Sequence, residues 1–188
     1  MKNRDWLVYT YRHRRAFEAM ARCLISDPEL LRRMLERARV HDMDKMLLYL
    51  FLDQHSAQHL HVMTARHHLE NDLPKSHEDL VETVIDYECA PYTKPDKPMN
   101  AYDFVLKLQE MKLLDAHMVG ELIRIMHDLD IDHSGTAAFP QVAQGIPEAA
   151  QVTDEMLFSE ILRYVTAVPE HELDAVLELI RKDAGEQI

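Results

Sequence analysis

Glycine is scarce in this chain, at 4 of 188 residues. With 47% hydrophobic and 29% charged residues beside it, that scarcity speaks against a β protein and against disorder. Cysteine is scarcer still. Cys23 and Cys89 lack the spacing of a metal motif and are expected to be buried thiols rather than a disulfide, which suits a reducing cytoplasm. Basic residues number 21 against 33 acidic ones, and the formal net charge of −12 excludes an electrostatic footprint on duplex nucleic acid or an anionic membrane. No segment approaches the roughly 18 apolar residues of a membrane span, and Met1-Lys2-Asn3-Arg4-Asp5-Trp6 has no apolar signal core. The usual catalytic kits are missing too: no Gly-rich phosphate loop, no Gly-flanked nucleophilic Ser and no paired-Cys zinc motif.

What is present is helical periodicity. Trp6, Tyr9, His13, Phe17, Met20 and Leu24 recur at steps of three and four, the stripe of an amphipathic helix over residues 5–25. A second helix starts at Ser26-Asp27-Pro28-Glu29 and runs to about residue 39. A strongly apolar helix is expected over residues 40–52, and a further one over 53–72, closed by Asn71-Asp72-Leu73-Pro74. Ser76-His77-Glu78-Asp79 has the form of a capping box, opening a helix to about Cys89. Residues 90–100 hold Pro91, Pro95 and Pro98 with Tyr92, Lys94 and Lys97, and read as a loop. Helices then follow over residues 100–114 and 116–129. Residues 130–151 are read as loop. Two amphipathic helices, over 153–166 and 170–182, close the chain and could cap the domain or pair two copies as a homodimer. The fold class is all-α.

Within this frame the histidines are unevenly spread. Half of the chain's 12 fall between His55 and His77: His55, His59, His61, His67, His68 and His77. Neutral imidazoles bunched in this way suit Zn, Fe, Mn, Ni or Co better than Ca or Mg. On a helix His61 and His68, seven apart, return to one face, and His67 turns away by about 100°. Val40-His41-Asp42-Met43-Asp44-Lys45-Met46 adds a His-Asp pair with a lysine one turn on; His127-Asp128 is such a pair by chance. Neighbours on a helix diverge by about 100°, so His41 and Asp42 can meet on one ion only if it lies between their directions. Lys45 could pair with Asp42 or hold a substrate oxygen. His13 lies in the apolar stripe of its helix, flanked by Arg12, Arg14 and Arg15, which form a solvated face or reach a substrate phosphate. Asp86 follows directly on the stripe Leu80, Val81, Val84, Ile85 and, if buried, needs a cation or several donors; Glu82 and Glu88 are expected to be solvated. Asp130-Ile131-Asp132-His133-Ser134-Gly135 imitates the start of a Ca-binding loop, but Gln141 and Pro140 spoil its end.

The order of a lone His (His13), a His-Asp pair (His41, Asp42), further His (His61, His67, His68) and a lone Asp (Asp86) resembles the HD-domain superfamily of metal-dependent phosphohydrolases. His41-Asp42-Met43-Asp44-Lys45 is similar to its lysine-bearing variant, and His67-His68-Leu69-Glu70 to the His-His-Glu element of its multi-histidine branches. Asp86-Tyr87-Glu88-Cys89-Ala90 with Thr93-Lys94-Pro95-Asp96-Lys97-Pro98 is similar to a small uncharacterised bacterial and phage family of HD-like proteins. The resemblance covers about residues 9–105. It implies an HD-like helical bundle over residues 1–115, with a C-terminal helical extension over 116–188 packed on the same core.

It further implies one or two divalent transition metal ions, Mn, Fe, Co, Ni or Zn, held by His13, His41, Asp42 and Asp86, with ligands for a second from His61, His67 or His68. The ions would activate water against a small phosphorylated substrate such as a nucleotide. Asp42 and Lys45 would take catalytic roles, and Arg14, Lys45, Tyr92 and Lys94 would contact the substrate. Two other readings stand beside hydrolysis: a di-iron oxygenase with a related ligand set, and a non-catalytic helical protein that keeps a structural metal. The short interval from His41 to Asp86, and Asp44 at a place where a small residue is common, depart from the family pattern.

Overall fold

The computed structural model describes residues 3–94, 99–131 and 139–186. The described chain is helical without strands: α1 (Arg4–Leu24), α2 (Pro28–Ala38), α3 (Met43–Leu48), α4 (Gln54–Thr64), α5 (His77–Cys89), α6 (Ala101–Glu110), α7 (Ala116–Asp128), α8 (Pro140–Gly145), α9 (Asp154–Ala167) and α10 (Glu170–Glu186), with 3₁₀ turns at Ala90–Tyr92 and Ala149–Gln151. Among the described residues no helix is long and apolar enough to cross a membrane.

Polar caps explain most of the starts. Asp27 accepts from the Leu30 amide, Asp53 from His55 and Ser56, Asn100 from Asp103, Asp115 from Met118 and Thr153 from Met156. Ser76 and Asp79 form the reciprocal capping box that their spacing predicts.

Two groups of buried side chains share α1. Towards its C-terminal end Phe17, Met20 and Ala21 pack with Met34 of α2, Val84 and Ile85 of α5, Val105 of α6, Leu122 and Met126 of α7 and Val142 of α8. Towards its N-terminal end Leu7, Val8 and Tyr11 pack with Met46 and Leu48 of α3, Ala57 of α4, Leu157 and Ile161 of α9 and Ile180 of α10. Each large side chain fully buried here stabilises the fold by about 1.5–3 kcal/mol relative to exposure. The chain beyond residue 115 contributes to both groups: α7 and α8 to the first, α9 and α10 to the second. His13 sits on α1 between them, so the polar cluster described below lies at the seam of two apolar masses.

Three expected elements differ. The helix over 40–52 shrinks to α3, because residues 39–42 form a turn in which Asp42 takes φ 59°. The helix over 53–72 stops at Thr64, where Ala65 turns extended, and His67 and His68 lie in the turns beyond. The expected loop over 130–151 contains α8, with Pro140 at the first-turn position where its missing N–H costs nothing. Most of the Ca-loop imitation, and Pro95 to Pro98 of the proline-rich loop, lie outside the described residues.

Candidate metal centre

Four segments deliver the cluster: α1 brings His13, the turn before α3 brings His41 and Asp42, α4 and the turns after it bring His61, His67 and His68, and α5 brings Asp86. The left-handed backbone of Asp42 is the local device that makes His41 and Asp42 converge. Such a conformation costs an ordinary residue roughly 1–2 kcal/mol and is easier for Asp than for most. It removes the helical divergence expected of the pair and leaves His41 Nε2 and Asp42 Oδ1 3.9 Å apart.

Asp42 Oδ1 is the centre of the arrangement. His61 Nε2 lies 3.0 Å from it, without the alignment of a hydrogen bond, and His67 Nε2 lies at 3.6 Å. On the other side His13 Nε2 is 2.6 Å from Asp86 Oδ1, and His41 Nε2 is 3.6 Å from the same oxygen. Two overlapping donor sets result. Asp42, His61, His67 and His68 offer atoms all within 4.8 Å of one another, and so do His13, His41 and Asp42. His41, His67 and Asp86 form a third such group between them.

Buried and without a hydrogen-bond partner are His41 Nε2, Asp42 Oδ1, His61 Nε2, His67 Nε2 and His68 Nε2. A buried polar atom left unsatisfied costs about 1–3 kcal/mol, so several facing one another call for a shared partner. A divalent ion is the partner that accepts lone pairs from imidazole and carboxylate together.

A surrounding layer fixes the rings. Glu82 accepts from His41 Nδ1 at 2.9 Å, Asp44 accepts from His61 Nδ1 at 2.7 Å, and Thr93 Oγ1 lies 3.2 Å from His13 Nδ1. A carboxylate can only accept, so His41 and His61 each carry a proton on Nδ1, and Nε2 is the ring nitrogen turned inward. Arg37 donates to Glu82 at 2.6 Å and to Asp79 at 2.8 Å. Lys45 Nζ lies 2.6 Å from Asp42 Oδ2, the oxygen turned away from the imidazoles.

Electrostatics follow from this packing. Burial alone would push the Asp42 carboxyl up, but Lys45, His41 and His61 hold it well below the usual carboxylate range. Asp86 is likewise depressed against burial, by His13 and His41. Burial pulls His41 down, yet Asp42, Asp86 and Glu82 outweigh it and raise it to about 10. For His68 burial outweighs the support of Glu70, whose carboxylate lies 3.4 Å from Nδ1, and pushes it down to about 4. His13 is also lowered by burial, only partly opposed by Asp86.

The structure thus gathers His13, His41, Asp42, Lys45, His61, His67, His68 and Asp86. It does not bring in Arg14, whose guanidinium donates to Glu160 at 2.8 Å and to the Arg39 carbonyl at 2.6 Å, tying α1 to α9 and to the end of α2. Arg12 and Arg15 are engaged in the same structural way, with the Pro147 carbonyl and with Glu160. Tyr92 is a packing residue: its hydroxyl accepts from the Phe139 amide at 2.8 Å. Lys94 stays near the cluster, its Nζ 4.9 Å from the centroid of the Tyr9 ring. His55, His59 and His77 are exposed and stand apart.

Other expectations need correcting. Glu82 and Glu88, expected in solvent, are 6% and 1% exposed, the first because it backs an imidazole, the second because it accepts from the Ala101 amide. Cys89 is buried beside His13, but Cys23 is exposed. Sequence reasoning passed over Glu82, Asp44 and Tyr9, although Asp79, Glu82 and Asp86 stand at i, i+3 and i+7 on α5 and mark an acidic face turned inward.

A cleft of ≈ 600 Å³ adjoins the cluster, walled by α9 and α10 through Tyr164, Val168 and Val176 and by Arg37, Asp44 and Glu82 opposite. The side chains of His41, Asp42 and His61 are 0%, 2% and 1% exposed, whereas those of Asp44 and Arg37 are 19% and 31%. The cleft also has His41, Asp42, His61 and His67 in its lining, with Asp44 and Arg37 as its more exposed part, so it leads to the ligand cluster from the side of α9 and α10. Comparison with known protein families, curated proteins and solved structures gives no match to this chain.

Proposed function

We propose that this protein is a metal-dependent phosphohydrolase that acts on a nucleotide or another small phosphoester. The observation that carries the reading is the set of unpartnered buried nitrogens around Asp42 Oδ1, arranged as two donor sets that share one carboxylate. His13, His41, Asp42 and Asp86 would hold one divalent transition metal ion, and Asp42 with His61, His67 and His68 the other. When bound, such a pair lowers the pKa of water toward ~7 and polarises a phosphoryl oxygen.

The chain's own groups do the rest. Glu82 and Asp44 hold Nδ1 of His41 and of His61 and so keep Nε2 of each ring aimed inward. Lys45 holds Asp42 in its ionised form. The proton shared by His13 Nε2 and Asp86 would be displaced by an ion there, and Nδ1, 3.2 Å from Thr93 Oγ1, can take it. The likeness to the HD superfamily supports the phosphoester as substrate.

The test is elemental analysis of tag-free protein beside His41→Ala, followed by a phosphoester panel with the metal found. One or two equivalents of Mn, Co, Ni or Zn, lost in the variant, with hydrolysis of a panel member, is the expected result. The donor set of three imidazoles and Asp42 suits iron as well, which favours the oxygenase as the second reading. Iron with an O₂-dependent product would replace hydrolysis by it. Metal without turnover of either kind would leave a structural centre.

A further inference from the structure

The ligand-type side chains are not equally buried. Those of His41, Asp42 and His61 are at most 2% exposed and His67 is 6%, while His68 reaches 10% and Asp86 13%. Asp86 is thus the most exposed of the ligand-type residues, at the edge away from the cleft. Tyr9 stands at that edge, one turn before His13 on α1 and half-buried. Its ring lies over the His13 ring, with centroids 5.7 Å apart and planes 14° from parallel. Lys94 brings its ammonium group to 4.9 Å from the Tyr9 centroid, so one ring touches both a ligand and a cation. The phenol oxygen is within electrostatic reach of both Asp42 and Asp86 and has Thr93 beside it.

From this geometry we infer that Tyr9 and Lys94 form the contact for a phosphoryl group at the Asp86 edge of the centre. The inference rests on the phosphoester reading and specifies its binding residues. A phenol is protonated at neutral pH and is a neutral O–H donor, suited to an oxygen of the transferred group. It adds no negative charge beside Asp42 and Asp86. The Lys94 ammonium, held over the ring, offsets the charge of the anion. Tyr9 was legible only as an apolar-stripe residue, yet it shares the face of His13 at i and i+4.

The experiment titrates inorganic phosphate by calorimetry into the Mn-loaded protein, with metal content measured on every sample, for wild type, Tyr9→Phe and Lys94→Met. Unchanged metal content with phosphate affinity weakened about tenfold in each variant is expected, the scale of one hydrogen bond to a charged group. Full metal content with unchanged phosphate affinity in both variants would overturn the inference and leave the metal reading intact. Loss of metal in Tyr9→Phe would make Tyr9 a support for His13 and overturn its role in binding phosphate. A wild-type protein that takes up none of Mn, Co, Ni or Zn, or that takes one up and ignores phosphate, would overturn the phosphoester reading and this inference with it.

Discussion

Glu82 Oε1 stands 2.9 Å from His41 Nδ1 and 3.4 Å from His67 Nδ1, so one carboxylate oxygen backs two imidazoles that face different parts of the cluster. Its other oxygen takes the Arg37 guanidinium at 2.6 Å, which fixes the carboxylate in place.

Glu82→Ala should therefore weaken metal binding at both donor sets, by about 10–100-fold, the usual cost of losing such a backing partner. The helices are retained, because Glu82 touches the cluster through its side chain alone. Competition against a chelator of known affinity, with far-ultraviolet circular dichroism on the same sample, checks both statements. Arg37→Ala should give a smaller loss, since it removes the clamp and leaves the acceptor. Metal affinity unchanged in Glu82→Ala would mean that His41 and His67 are oriented by packing alone.

The pH dependence of stability should differ with and without metal. His41 is raised from 6.5 to about 10 in the folded metal-free chain. A raised histidine contributes stability that is fully present below pH 6.5 and lost as pH climbs through about 10. Asp42 and Asp86 are depressed, so their contribution is present above the usual carboxylate value and lost only as pH falls through their lowered folded values. Between pH 7 and 10 the Tm of the metal-free protein should thus fall from this source. Ion binding needs unprotonated imidazoles, so the rise in Tm on adding Mn should widen over the same interval. Thermal scans at pH 6, 7, 8 and 9 with and without Mn measure it, and a metal-induced shift that narrows with pH would contradict the assignment of His41 as a ligand.

The residues that meet in the cluster were legible because ligand chemistry is carried by side-chain type, and His13, His41, Asp42, His61, His67, His68 and Asp86 are types that seldom gather by accident. How they meet was not. The apolar run over 40–52 hides the left-handed turn at Asp42, which depends on tertiary contacts of its neighbours and breaks the helical period. His67 and His68 were placed on a helix that ends at Thr64, so the seven-residue return to one face is not what unites His61 with His68. Arg14 looked like a surface cation, and only the fold could show the buried Glu160 that waits for it, 146 positions away in the chain. The backing carboxylates were misread because a helix period applied to apolar residues alone cannot tell a solvated acid from one aimed at an imidazole.

The two donor sets share Asp42, with His67 within reach of both, and their other members make their occupancy separable. His13→Ala removes a ligand from the set formed with His41 and Asp42, and His61→Ala removes one from the set formed with Asp42, His67 and His68. Each variant should retain about one equivalent of metal where the wild type holds two. Asp42→Ala should retain none, because it takes a ligand from both sets and leaves Lys45 buried without its partner at 2.6 Å. That last change also strands a buried ammonium, so its fold is checked by circular dichroism, and Asp42→Asn serves as the milder companion because Asn also tolerates the left-handed backbone. His67 lies within reach of both sets, and His67→Ala tests which one it serves: loss of the equivalent that His61→Ala loses places it with Asp42, His61 and His68. Identical losses in His13→Ala and His61→Ala, down to no metal in either, would mean a single ion held by ligands from both sides, and the two-ion reading would have to be given up.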